Sequence, residues 1–285
     1  MTAISNSRVL VTGAASGIGR GLCLALAARG AHVLGVDRDQ AGLDSLAREI
    51  GDAFEGHLCD LSDVNDIERL GADLQDRGEP VDVLINNAGV VGGRYLEQSD
   101  PDSIERTFRV NALAPIHLTR VMLPSMLARD SGHIVTVASA AGIVGTARLV
   151  DYSASKWAAM GFDEALRLEL KHRGSRIRTT VVCPFFVNTG MFDGVQTRWR
   201  WLLPILDPDR VIRRIVRAIE RDRARLIMPW LVYTAWPARL LPVGLFDRLM
   251  SLLGITRSMD AFRGRSRSEQ ENTLKDADDN RGAGP

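Results

Sequence analysis

The sequence predicts an α/β fold, a single Rossmann-like domain in which a doubly wound parallel sheet is covered by helices on both faces. Three observations carry that expectation. Short β-rich runs alternate with longer helical patterns from residue 8 to about 228. The runs are apolar almost throughout, as strands buried on both faces must be. A glycine-rich turn separates the first run from the first helical pattern, where such sheets hold a dinucleotide.

The elements follow in order. Residues 9–12, 32–36 and 81–85 read as strands, as do 133–137 and 177–182, and Cys59-Asp60-Leu61 closes another. Helical periodicity covers 18–29 and 153–171, a helix begins near Asp207-Pro208, and an Arg-rich helix is expected at 210–225. Right-handed crossovers would gather the strand C-termini on one edge. Residues 1–264 are expected to form this one domain, with 229–264 as an apolar extension. The polar residues 265–285 are expected to be a disordered tail.

Composition narrows the function. Hydrophobic content of 45% and charged content of 25% suit a soluble globular protein, and a net charge of +1 gives no general attraction for nucleic acid. Cys23, Cys59 and Cys183 show no metal or disulfide spacing and read as free thiols in a reducing compartment. His32, His57, His117, His133 and His172 show no paired ligand spacing, so no metal is expected. The first seven residues lack the apolar run of a signal peptide, and no run of about 18 apolar residues suggests a spanning helix. A cytoplasmic enzyme or binding protein is the expectation.

The turn Thr12-Gly-Ala-Ala-Ser-Gly-Ile-Gly19 has the chemistry of a pyrophosphate site. Gly13, Gly17 and Gly19 remove side chains where the phosphates approach, and Ser16 and Ile18 stand at the N–H-rich start of a helix. Asp37 ends the second strand, where a carboxylate accepts from ribose hydroxyls and repels a 2′-phosphate, so NAD is expected. Arg38 beside it either neutralises that phosphate, admitting NADP, or points to solvent. Asp60, with Leu61 beside it, meets the adenine amino group or caps a turn.

Tyr152 and Lys156 are four residues apart, on one face of a helix. A cation beside the phenol favours the phenolate, and a downward shift of about three units corresponds to roughly 4 kcal/mol. Tyr152 is therefore expected to be a general acid/base with a lowered pKa.

With these motifs in hand, the chain resembles the short-chain dehydrogenase/reductase family over residues 8 to about 230. The glycine loop, Asn86-Asn-Ala-Gly89, Asn111 in Arg-Val-Asn-Ala, and Ser139, thirteen residues before Tyr152, all match. The resemblance implies that Tyr152 exchanges the substrate proton, Ser139 binds the substrate oxygen, and Lys156 holds the nicotinamide ribose. It implies that Asn111 supports a water and Lys156, and that Asn87, Ala88, Gly89, Pro184, Val187 and Thr189 flank the cofactor. A homodimer or homotetramer is expected. One departure is Phe185, which stands where the family often has glycine and puts a ring near the nicotinamide or the substrate entrance.

Substrate information is expected after Thr189. Met191-Phe192 and residues 199–203 read as an apolar lid or as core packing. Residues 230–255 are apolar but broken by Pro237, Pro242 and Gly244; subunit interface, channel wall and peripheral membrane contact all fit them. This extension looks like that of the retinol and long-chain 17β-hydroxysteroid dehydrogenase branch, whose animal members often carry an N-terminal anchor that residues 1–7 do not show. The expected function is NAD(P)-dependent hydride transfer to or from a lipophilic alcohol, ketone or aldehyde. Its rivals are an NADPH-dependent 3-oxoacyl-thioester reductase and a non-catalytic dinucleotide sensor.

Overall fold

The computed structural model describes residues 1–78 and 80–264. The strands are β1 (Arg8–Thr12), β2 (His32–Asp37), β3 (Phe54–Leu58), β4 (Val83–Asn86), β5 (His133–Val137), β6 (Arg178–Pro184) and β7 (Arg225–Met228). They form one parallel sheet in the order β3-β2-β1-β4-β5-β6-β7. The helices are α1 (Gly17–Ala27), α2 (Gln40–Ile50), α3 (Val64–Asp76), α4 (Pro101–Phe108), α5 (Ala114–Arg129), α6 (Val150–His172), α7 (Pro208–Glu220), α8 (Ala235–Ala238) and α9 (Val243–Leu252).

Alternation along the strands builds two cores. Val9 and Val11 of β1 pack with Leu22 and Leu26 of α1 and with Ile215 and Ile219 of α7. Leu10, between them, faces the other way, toward Leu70 of α3, Leu118 of α5 and Leu166 of α6. Both faces are thus covered, which explains the unbroken apolar strands. Parallel register aligns the strand ends: Thr12 lies beside Val36, Asn86 beside Thr136, and Pro184 beside Met228. The strand order reverses between β1 and β4, and the crevice outside that point is where such folds take ligands.

Several boundaries differ from expectation. The strand before Cys59 stops at Leu58, so Asp60 and Leu61 lie in the following turn. The fourth strand runs from Val83 to Asn86 rather than from 81, and the sixth continues to Pro184. The Arg-rich stretch is not one helix. α7 ends at Glu220, Asp222 takes a left-handed φ of 50°, and Arg225 opens β7.

Residues 230–255 form a short 3-10 turn (Trp230–Thr234), α8 and α9, the amphipathic pieces that the prolines imply. Among the described residues, no helix is long and apolar enough to cross a membrane. The expectation for 265–285 lies outside the described residues.

Candidate active site

A continuous cleft follows the C-terminal edge of the sheet. Gly13, Ser16, Gly17, Ile18, Asp37, Arg38, Asp60 and Leu61 line one end, Ser139, Tyr152, Lys156, Pro184 and Phe185 the other. Asn87, Ala88, Gly89, Val187 and Thr189 lie along it between them. Gly19 alone among the expected cofactor residues does not line it; its part is packing. A Cβ there would lie 1.9 Å from the Gly13 carbonyl oxygen, so the helix can approach the turn only with glycine. Gly17 sits at φ 55°, and a Cβ on it would fall 3.4 Å from Thr189 Cβ, inside the cradle between the turn and the loop after β6. This bare backbone at a helix N-terminus, with Asp37 beyond it, fits a dinucleotide.

Thr12 ties the turn to the neighbouring loop. Its hydroxyl accepts from the N–H groups of Asn87 at 2.9 Å and Ala88 at 3.0 Å, and Asn87 Nδ2 donates to the Thr12 carbonyl at 2.8 Å. At the far end, Asp37 accepts from the backbone N–H groups of Ala15 at 2.9 Å and Arg38 at 2.8 Å. Burial raises its pKa against those bonds. Burial also opposes ionisation of Asp60, but hydrogen bonds from Ser62 and the charges of Arg38 and Arg106 outweigh it and hold the carboxyl low. The turn-capping reading of Asp60 is thus realised, at Ser62 N–H and hydroxyl (2.9 and 2.7 Å). Arg106 was not legible in the sequence. It arrives from α4, lines the same end of the cleft, and is lowered by burial and by the charge of Arg38.

At the other end α6 presents Tyr152 and Lys156, 5% and 4% exposed. The Lys156 ammonium donates to the Val137 carbonyl at 3.0 Å and lies 5.7 Å from the Tyr152 ring centroid. The expected lowering of the tyrosine is not found. Burial pushes Tyr152 up to about 12, although its hydrogen bond with Ser139 pulls the other way. Burial likewise pushes Lys156 down to about 8. Helical spacing reveals that two groups share a face; it does not reveal that both lose water, and here desolvation prevails.

Ser139 follows β5, 9% exposed, and its hydroxyl accepts from Ala141 N–H at 3.1 Å. Asn111 occupies a π-helical turn (Arg109–Leu113). Its side chain accepts from Val90 N–H at 2.8 Å, donates to Val90 O at 2.9 Å and to Ser155 Oγ at 3.0 Å. Ser155 in turn donates to the Tyr152 carbonyl at 2.7 Å. The Asn111 amide therefore bonds the loop after β4 and α6, not Lys156. Gly89 keeps a gap between the two: a Cβ on it would lie 3.3 Å from Asn111 Oδ1 and 3.4 Å from Lys156 Nζ. Ser155 stood in the Tyr-Ser-Ala-Ser-Lys run, but its bond to Asn111 depends on tertiary approach.

A second cavity opens from Ser139 and Tyr152 away from the glycine turn. Phe185, Phe186 and Phe192 line it with Leu231, Leu249 and Met250 from the extension. Among the described residues, its other polar side chains are Thr146 and Thr234. Phe185 borders both cavities, as its position implied. The expected lid is divided: Met191 and Phe192 face the cleft and Leu203 the apolar cavity, whereas Trp201 is 78% exposed and Trp199 bonds Leu252 O on α9.

The model of the short chain dehydrogenase family matches residues 7–199. The chain belongs to that family. Epidermal retinol dehydrogenase 2 of Mus musculus is 37% identical over 270 residues, covering 93% of this chain and 87% of the relative. A short-chain dehydrogenase/reductase from Burkholderia phymatum, solved in complex with NAD, superposes with TM-score 0.75 at 26% identity, over 84% of this chain and 95% of its own. A metagenomic short-chain oxidoreductase in complex with NADP gives TM-score 0.66 at 30% identity, over 79% and 96%. The short chain dehydrogenase assignment makes the chain an NAD(P)-dependent oxidoreductase acting between CH–OH and carbonyl groups.

Proposed function

We propose that this protein is an NAD-dependent dehydrogenase of lipophilic primary or secondary alcohols and their carbonyl partners. The apolar cavity that opens at Ser139 and Tyr152 carries the reading, because a desolvated apolar wall favours an apolar substrate. The name of the mouse relative supports retinol-like alcohols. A nicotinamide cofactor, when bound, supplies the hydride acceptor or donor.

In this reading Tyr152 exchanges the proton of the substrate oxygen. Ser139 hydrogen-bonds that oxygen as negative charge develops on it. Lys156, anchored on the end of β5, brings a positive charge to the cofactor end of the phenol. Asn111 is a positioning residue, holding the loop after β4 against α6. Asp37 supports NAD over NADP, while Arg38 and Arg106 make the NADP-using thioester reductase the reading to test against. The convergence of Ser139, Tyr152 and Lys156 on one cleft disfavours a sensor without turnover.

The catalytic unit in this proposal spans residues 1–264. Three buried free cysteines support a reducing, cytoplasmic setting. Trp230, Tyr233, Leu240 and Val243, 70, 42, 88 and 76% exposed, support a further contact, with a lipid surface or a second copy in a homodimer or homotetramer. The deciding measurement is turnover of retinoids, steroids, fatty alcohols and 3-oxoacyl thioesters with each cofactor. Fastest turnover of a fatty alcohol or retinoid with NAD is expected; a preference for thioester and NADPH would replace the reading.

A further inference from the structure

Residues 258–264 cross the mouth of the site as a strap. Met259 is fully buried and packs with Tyr152, Phe186 and Val195. The strap bonds two loops that frame the catalytic end. Gln196 N–H donates to Ser258 O at 3.1 Å, and Arg263 N–H donates to Asp193 O at 2.9 Å, both in the loop after β6. Arg148, just before α6, donates to the carbonyls of Met259 at 2.6 Å and Asp260 at 3.0 Å. The approach is close: a Cβ on Gly194 would lie 2.1 Å from Ala261 O, and one on Gly93 only 2.0 Å from the Phe262 ring. Both glycines have positive φ, 83° and 69°, so these loops take up the strap without a side chain in the way.

Phe262 is the strap's link to the chemistry. Its ring lies 6.4 Å from that of Phe192, which stands edge-on to Tyr152 at 5.7 Å and to Phe186 at 5.1 Å. Phe192 is only partly buried and sits among the rings of Tyr152, Phe186 and Phe262, so removing Phe262 frees one side of it. We propose that Phe262 is a specificity-determining residue, which holds Phe192 against Tyr152 and closes that side of the cavity to bulky groups on the carbinol carbon. The inference rests on the lipophilic-alcohol reading for its substrates, and on the strap geometry alone for its mechanics.

The test uses the full chain, with 1-decanol as slim and cyclododecanol as bulky substrate, each with NAD. Phe262→Ala should raise the bulky-to-slim ratio of kcat/KM by about tenfold, the size of a modest pocket contact, chiefly through KM. Phe262→Leu should recover most of the original ratio, and NADH affinity by fluorescence titration should stay unchanged in both. An equal change for the two alcohols would overturn the proposal. If the unaltered protein turns over neither alcohol, the substrate reading fails separately. Hydrogen exchange then decides the strap: residues 189–196 should exchange about tenfold faster in Phe262→Ala, and unchanged exchange would overturn it. Should Phe262→Ala not fold, Gly93→Ala, which displaces the same ring, must shift the ratio or the exchange in the same direction, and no shift in either would overturn the proposal.

Discussion

A phenol pushed up to about 12 beside an ammonium pushed down to about 8 sets the pH behaviour of the site. In the proposed mechanism, alcohol oxidation needs the phenolate together with the charged lysine. Below the lysine pKa the lysine stays charged and the phenolate fraction grows about tenfold per pH unit. Above it, each gain of phenolate is matched by a loss of ammonium. The oxidation rate should therefore climb up to about pH 8 and then level, whereas a profile already flat at pH 6 would mean that the lysine lowers the phenol after all. Tyr152→Phe should reduce kcat by about 10²–10⁴-fold with NADH binding retained. The same helix holds Asp163, 2% exposed, whose Oδ1 has no hydrogen-bond partner among the described residues, its carboxyl pushed up to about 7 by burial. Because the folded protein keeps this proton longer than the unfolded chain, stability falls as pH rises from about 4 to 7 and stays level above. The penalty is about 4 kcal/mol, and Asp163→Asn should remove it. Urea denaturation of both proteins at pH 5 and 8 measures the difference; an unchanged pH slope in the variant would rule out Asp163 as its source.

Among the elements, α3 and α5 show how closely neighbouring helices of one layer approach. A Cβ on Gly71 would come 1.9 Å from Val121 Cγ1, and valine in a helix has little rotamer freedom to yield. Gly71→Ala should cost about 1–3 kcal/mol by overpacking, seen as a lower thermal midpoint with cofactor affinity retained. The strands were legible because β1, β2 and β5 carry apolar side chains to both faces. The helix starts at Gly17 and Pro208 were legible from the glycine turn and from Asp207-Pro208. The end of α7 was not, since arginine-rich sequence suits a helix and only the left-handed Asp222 stops it. In the site, Ser139, Tyr152, Lys156 and the glycines were legible because their chemistry is tied to fixed spacing. Arg106 and Phe262 were not, because α4 and the strap reach the site only through tertiary packing. The tyrosine pKa was misread for the related reason that burial leaves no mark on residue spacing.

For the whole molecule, the outer face of the extension separates two assemblies. Trp230, Leu240 and Val243 replaced together by Ser should abolish co-sedimentation with phosphatidylserine vesicles if that face meets lipid. They should leave turnover of a water-soluble alcohol intact, and ultracentrifugation would report loss of a dimer or tetramer if it instead meets a second copy. The two ends of the cleft are themselves joined by a run of hydrogen bonds. Thr12 holds Asn87 and Ala88, Val90 is clasped by Asn111, and Ser155 links Asn111 to the Tyr152 carbonyl. A protein engineer exchanging the glycine turn for one of another cofactor preference therefore cannot treat it as a detachable cassette. The new turn must keep a hydroxyl at position 12, or the transplant will leave two backbone N–H groups unserved and disturb the alignment of a phenol on the opposite side of the sheet's switch point.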